Sequence, residues 1–240
     1  MRPTCEEIEK LAKMDYTVIP VCREIYADVT TPIMLLRKLS RISERFYLLE
    51  SVEGGEKWGR YSFLGYDPVM RVYCKNGLVQ IEKAGRKETV KTDRPLEEIR
   101  KILKEYRSPK LQDMPPFTGG FVGYFGYAMM QYAEPVLSIK RDGFNDYDVC
   151  LYDKIIAYDH LKQKISIIVN MKTDHVMENY GRAVSEITQL EAMIKAPFIP
   201  DDTSKEIKNH TEFSCNVSKE EYCSLVEKTK EYIYAGDIFQ

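Results

Sequence analysis

Apolar and polar positions alternate along this chain with two different spacings, and the switches between them mark out its elements. Met1 to Met14 mixes charged and apolar residues as an amphipathic helix does. Thr31 followed by Pro32 is a cap residue with proline at the first helical position. Leu35, Leu36 and Leu39 then supply the buried stripe of a short helix from Pro32 to Ser40. Phe46 to Glu50 reads as a buried strand whose end leaves Glu50 and Ser51 at a loop mouth. After Gly54-Gly55 come strands Arg60 to Tyr66 and Val69 to Lys75. Asn76-Gly77 supplies the chemistry of a two-residue hairpin turn before Leu78 to Lys83. Pro95 opens a helix with Leu96, Ile99, Leu103 and Tyr106 at helical spacing. Gly119 to Tyr127 is expected as a buried strand, with glycines for close backbone approach and aromatics for core. Lys154 to Asp159 and Lys164 to Asn170 form a second hairpin, and His175 to Ala196 a longer amphipathic helix. The class is α+β, with antiparallel sheets packed against helices.

The periodicity stops at residue 197. Pro197 to Ser214 joins two prolines, Asp201-Asp202 and a polar mixture with no repeat, which is the pattern of a linker. A helix then starts sharply at Ser218, with Glu221 placed to complete a capping box. Tyr222, Leu225, Val226, Thr229 and Ile233 lie on one face, and Gly236 stands where a left-handed residue would stop the helix. The expected organisation is a domain over 1–196, a linker over 197–215 and the start of a second domain over 216–240. Ile238 and Phe239 open an apolar run that breaks off, so the expectation is the front part of a larger protein.

Composition narrows the function classes. A chain of 240 residues with 44% apolar content can bury a real core, and a net charge of −2 excludes a polyanion-binding signature. Nucleic acid is not an expected partner. Six cysteines without a C-x-x-C pair point to free thiols, and the first residues lack the apolar core of a signal peptide, so a cytosolic location is expected. Met114 to Ala133 carries no charge over a membrane-spanning length, yet its glycines, prolines, Thr118 and Gln131 argue for loop and strand instead. Its glycines do not fit G-x-G-x-x-G, which excludes a dinucleotide fingerprint.

Candidate chemistry gathers where Leu48-Leu49-Glu50-Ser51 meets Trp58-Gly59-Arg60-Tyr61-Ser62. A hydroxyl and a carboxylate can satisfy the ammonium and carboxylate of an amino-acid ligand. Arg60 could hold a carboxylate by a bidentate pair. Residue mechanics alone leave the alternatives open: Ser51 as a strand-end turn residue bonding its own backbone, and Arg60 as a solvated strand side chain. Asp146 and Asp148 are expected at a strand-edge surface, and His160, His175 and His210 are expected as isolated loop or helix-end residues.

Five motifs in order resemble the large subunit, component I, of the anthranilate synthases. They are Leu49-Glu50-Ser51, Arg60 to Gly65, Pro116 to Tyr124, Asn216 to Tyr222 and Gly236 to Gln240. The resemblance implies two large antiparallel sheets sandwiched between helices. It also implies conversion of chorismate and glutamine-derived ammonia to anthranilate and pyruvate, magnesium as cofactor, a glutamine amidotransferase partner and L-tryptophan as feedback inhibitor. It places Ser51, and less firmly Glu50 and Arg60, at the tryptophan site. It places glutamine at 240, where related enzymes that add water carry lysine. Glutamine cannot serve as a general base at neutral pH, which favours amination. The family's magnesium ligands and main catalytic residues have no counterpart here, so no lyase activity is expected from these residues alone. Ala128 stands where the family often has an acidic residue after Gly-Tyr. Two other readings stay open: the folate-pathway relative aminodeoxychorismate synthase, and a non-catalytic module that binds tryptophan or a partner subunit.

Overall fold

The structure, a computed structural model, describes residues 1–28, 30–50, 59–139, 143–199 and 214–239. The chain divides into two compact units, Met1–Phe198 and Ile199–Gln240. The expected linker straddles that division, and 200–213 lie outside the described residues.

The first unit is a layered sandwich. One five-stranded antiparallel sheet has the order β1 (Val18–Tyr26), β10 (Lys164–Lys172), β9 (Lys154–Asp159), β3 (Tyr61–Tyr66), β2 (Phe46–Leu49). The other runs β6 (Arg86–Lys91), β5 (Leu78–Lys83), β4 (Met70–Lys75), β8 (Tyr147–Tyr152), β7 (Gly120–Phe125). Side chains alternate across each strand, so each sheet offers two faces. Helices α1 (Cys5–Ala12), α2 (Pro32–Leu39) and α5 (Val176–Lys195) cover the outer face of the first sheet, where Ile8, Leu35, Leu39 and Ile187 meet Leu64, Ile156 and Ile167. Its inner face, through Cys22, Ile155, Ile168 and Phe63, packs against Tyr152, Cys150 and Val122 of the second sheet. Met70, Val72, Cys74, Val149 and Leu151 turn the other way, onto Ile99 and Ile102 of α3 (Pro95–Glu105). This is the expected arrangement of two antiparallel sheets between helices.

Local chemistry explains the elements. Thr31 accepts from the Met34 N–H at 3.3 Å and caps α2. Asn76 and Gly77 take φ of 56° and 73°, as a hairpin turn between twisted strands requires. Lys38, buried on α2, donates to the carbonyls of Met193, Ile194 and Ala196 at 3.1, 2.6 and 2.6 Å. It thereby closes the carbonyl end of α5, and burial pushes its ammonium pKa down.

Several expectations fail for physical reasons. β7 lies at a sheet edge and is only half-buried, with Phe125 and Tyr127 exposed. Its glycines do serve close approach, because a Cβ on Gly123 would stand 2.1 Å from the Asp148 carbonyl oxygen. Asp146 is buried at 3% exposure, not at a surface; its carboxylate accepts from the Asn76 N–H at 2.8 Å and from the Tyr132 hydroxyl of the short helix α4 (Met130–Ala133) at 2.7 Å. α3 buries Ile99 and Ile102 while Leu96 and Leu103 remain exposed, so its buried face is rotated from the expected stripe. β1, β6 and β8 were not marked by periodicity. Pro20 sits in β1, an edge strand, where a missing N–H is tolerated.

In the second unit, α6 (Lys219–Ala235) starts at the expected cap, with Ser218 accepting from the Glu221 N–H at 3.1 Å, which is one of the two bonds of the expected capping box. Gly236 has φ 80°, and the N–H groups of Gly236 and Asp237 reach the carbonyls of Ile233 and Tyr232 at 3.1 and 3.0 Å, a Schellman stop.

A candidate ligand site at the ends of three strands

β2, β3 and β9 are neighbours and alternate in direction, so the end of β2, the start of β3 and the end of β9 meet at one rim of the first sheet. Leu49 pairs with Phe63, and Tyr61 pairs with Asp159. The register therefore brings Glu50, Arg60, Ser62, Asp159 and His160 together.

Two polar constellations result. In the first, the Ser62 hydroxyl lies 3.2 Å from Glu50 Oε1 and 2.7 Å from His160 Nε2. Ser62 is fully buried, whereas Glu50 is exposed at the strand end. The hydroxyl donates to Glu50, so its oxygen is left to accept from the imidazole in the tautomer that carries the proton on Nε2. The imidazole ring also stands 4.8 Å from that of Tyr158. A serine nucleophile would need a base whose far nitrogen meets the carboxylate. Here carboxylate and imidazole both bind the hydroxyl, and the hydroxyl is inaccessible. The arrangement holds a carboxylate in place.

In the second constellation, Arg60 forks onto Asp159. Its Nε lies 3.1 and 3.2 Å from the two carboxylate oxygens, and a terminal nitrogen lies 2.7 Å from Oδ2. Asp159 Oδ1 also accepts from the N–H groups of Leu161 and Lys162 at 3.1 and 3.0 Å. Burial alone would raise the Asp159 pKa, but the Arg60 hydrogen bonds, the backbone donors and the guanidinium charge outweigh it and hold the carboxyl below its ordinary value. The bond to Asp159 likewise raises the Arg60 pKa. The guanidinium stacks over Tyr61 at 4.8 Å, Tyr61 stacks on Phe63 and Phe63 meets Phe117 edge-on, each at 5.7 Å. A ligand carboxylate at Arg60 would compete with this pair.

Among the expected site residues, the structure brings Glu50 and Arg60 to this rim. Ser51 and Gln240 lie outside the described residues. Ser62, Asp159 and His160 were not singled out by sequence reasoning, and His160 is not isolated. The signal for them is the pairing of strands, which single-sequence periodicity does not supply.

The rest of the molecule offers less. A cavity of about 930 Å³ along α1 and β1 holds none of the expected site residues, and of its charged lining Arg23 is paired with Glu191 at 2.5 Å. Among the described residues no group of three or more His, Cys, Asp or Glu could hold a metal ion. The magnesium implied by the resemblance thus finds no donor set among the described residues. No described helix is long and apolar enough to cross a membrane.

Residues 45–240 match the protein family described as chorismate binding enzyme. The chain is 39% identical over 250 residues to anthranilate synthase component 1 of Acetivibrio thermocellus, covering 99% of this chain and 49% of that protein. It is 35% identical over 244 residues to the component 1 of Acinetobacter calcoaceticus, covering 98% of this chain and 48% of that protein. The chain spans about half the length of the curated relatives it matches. In fold it is similar to the crystal structure of anthranilate synthase component I from Streptococcus pneumoniae TIGR4, with TM-score 0.53 and 24% identity over 90% of this chain and 46% of that one.

Proposed function

The chain belongs to the family of chorismate binding enzymes, and from that premise we propose that it forms part of an anthranilate synthase component I. The observation that carries the reading is coverage: relatives of that name align with nearly the whole chain at 39% and 35% identity. The proposed reaction is the lyase conversion of chorismate, with ammonia from a glutamine amidotransferase subunit, to anthranilate and pyruvate. In this reading the complete enzyme works in the cytosol, uses magnesium held by residues other than those described here, and opens tryptophan biosynthesis. Gln240 contributes by what it cannot do. Lacking a titratable group, it does not activate water, and ammonia is left as the nucleophile.

The strand-end rim is proposed as the regulatory site for L-tryptophan. An amino acid presents an ammonium and a carboxylate, and Glu50, which precedes Ser51 in the sequence, offers the ammonium a negative acceptor. What supports this is the placement of Glu50, an exposed carboxylate backed by the buried Ser62 hydroxyl and the part-buried His160 imidazole. Arg60 serves as a minor contributor, because its fork is committed to Asp159. The test is Ser51→Phe in the complete enzyme. L-Tryptophan should no longer inhibit while turnover stays within about twofold, since the bulk fills a regulatory pocket and not the reaction centre. Loss of turnover with inhibition unchanged would move Ser51 out of that site.

A further inference from the structure

Ser62 is a polar residue in an apolar setting. Its neighbours on the same face of the sheet, Leu64, Ile156 and Tyr158, belong to the core under α2 and α5. A buried hydroxyl costs free energy unless it is bonded. This one is bonded on both sides, to His160 and to Glu50. The resulting row runs across three adjacent strand ends, from imidazole N–H to hydroxyl to carboxylate, and each member polarises the next. Without it, the long Glu50 side chain at an exposed strand end would sample many rotamers. Arg60, two residues from Ser62, carries a positive charge at the same rim. It is held on Asp159 by a bidentate fork.

We propose that Ser62 and His160 are positioning residues that hold the Glu50 carboxylate in the orientation that receives the ligand's α-ammonium. The proposal rests on the reading of this rim as the L-tryptophan site. The ammonium meets a carboxylate already fixed by a neutral donor, so its rotamer entropy is lost at folding and not at binding. The carboxylate keeps its charge for the ligand, because a hydroxyl orients it without neutralising it. Ser62 and His160 touch no ligand atom; they act through Glu50.

The experiment is calorimetric titration of L-tryptophan into the full-length protein and its variants. Glu50→Gln, Ser62→Ala and His160→Leu should each weaken binding by about tenfold, the worth of one charge-assisted hydrogen bond. His160→Gln, which keeps an N–H donor at similar reach, should restore most of the loss. The decisive comparison places Ser62→Ala and His160→Leu in the Glu50→Gln background. If both act through Glu50, neither costs anything further there. Losses that add in full to that of Glu50→Gln, or single variants that bind as wild type while Glu50→Gln is weakened, would overturn the positioning role alone. If Glu50→Gln binds as tightly as wild type, or wild type does not bind L-tryptophan, the reading of the rim falls and the positioning role with it.

Discussion

At the residue scale, the Arg60–Asp159 pair is the strongest electrostatic feature of the rim, and it has a defined pH response. The folded pKa of Asp159 lies below its ordinary value, so its contribution is fully present above about pH 4 and is lost as pH falls through the folded value. Asp159→Asn should therefore cost about 1 kcal/mol at pH 7, since the Asp159 side chain is only 8% exposed but Arg60 is 26% exposed. The gap should narrow at pH 2, as the carboxyl begins to take up its proton. Urea denaturation of both proteins at the two pH values checks this; an equal gap at both would show that the ion pair contributes no charge-dependent stability. The pair also explains why a site reading from sequence is incomplete. Arg60 was legible as a candidate anion binder, but its partner is 99 residues away and is reached only through the β3–β9 register.

At the element scale, the hairpin β4–β5 is secured by a buried carboxylate. Asp146, next to β8, receives the Asn76 N–H of the turn and the Tyr132 hydroxyl, so one side chain ties the turn to two other segments. Asp146→Ala would remove the acceptor that the Asn76 N–H and the Tyr132 hydroxyl share in a part-buried place. It should destabilise the fold by about 2 kcal/mol in urea denaturation; a change within about 0.5 kcal/mol would show that water replaces the carboxylate. Elements whose signals are local were legible in sequence, including the Thr31-Pro32 start of α2, the Asn76-Gly77 turn and the Ser218 and Gly236 ends of α6. Elements whose stability comes from neighbours were not. β6 has five of its six residues exposed and is held by its ladder with β5. β7 has a glycine-aromatic composition that suits a buried strand, yet it lies at an edge, because Gly123 is needed where two backbones touch. Asp146 looked like surface because charge in a sequence carries no record of partners.

At the scale of the whole molecule, two five-stranded antiparallel sheets between helices form a frame whose strand ends carry the candidate ligand site. The architecture was legible because the expected elements alternate between strand runs and amphipathic helices. Its assignment to a family rests on the match over residues 45–240. The function is less legible, since Ser51 and Gln240 lie outside the described residues and Glu50 acquires its setting only from folded neighbours. The most direct measurement is product analysis of chorismate turnover by the complete protein with its glutaminase subunit, glutamine and magnesium, with L-tryptophan titrated in. Anthranilate and pyruvate should form in equal amounts and be suppressed by L-tryptophan, as proposed. Accumulation of 4-amino-4-deoxychorismate without pyruvate, indifferent to L-tryptophan, would contradict it.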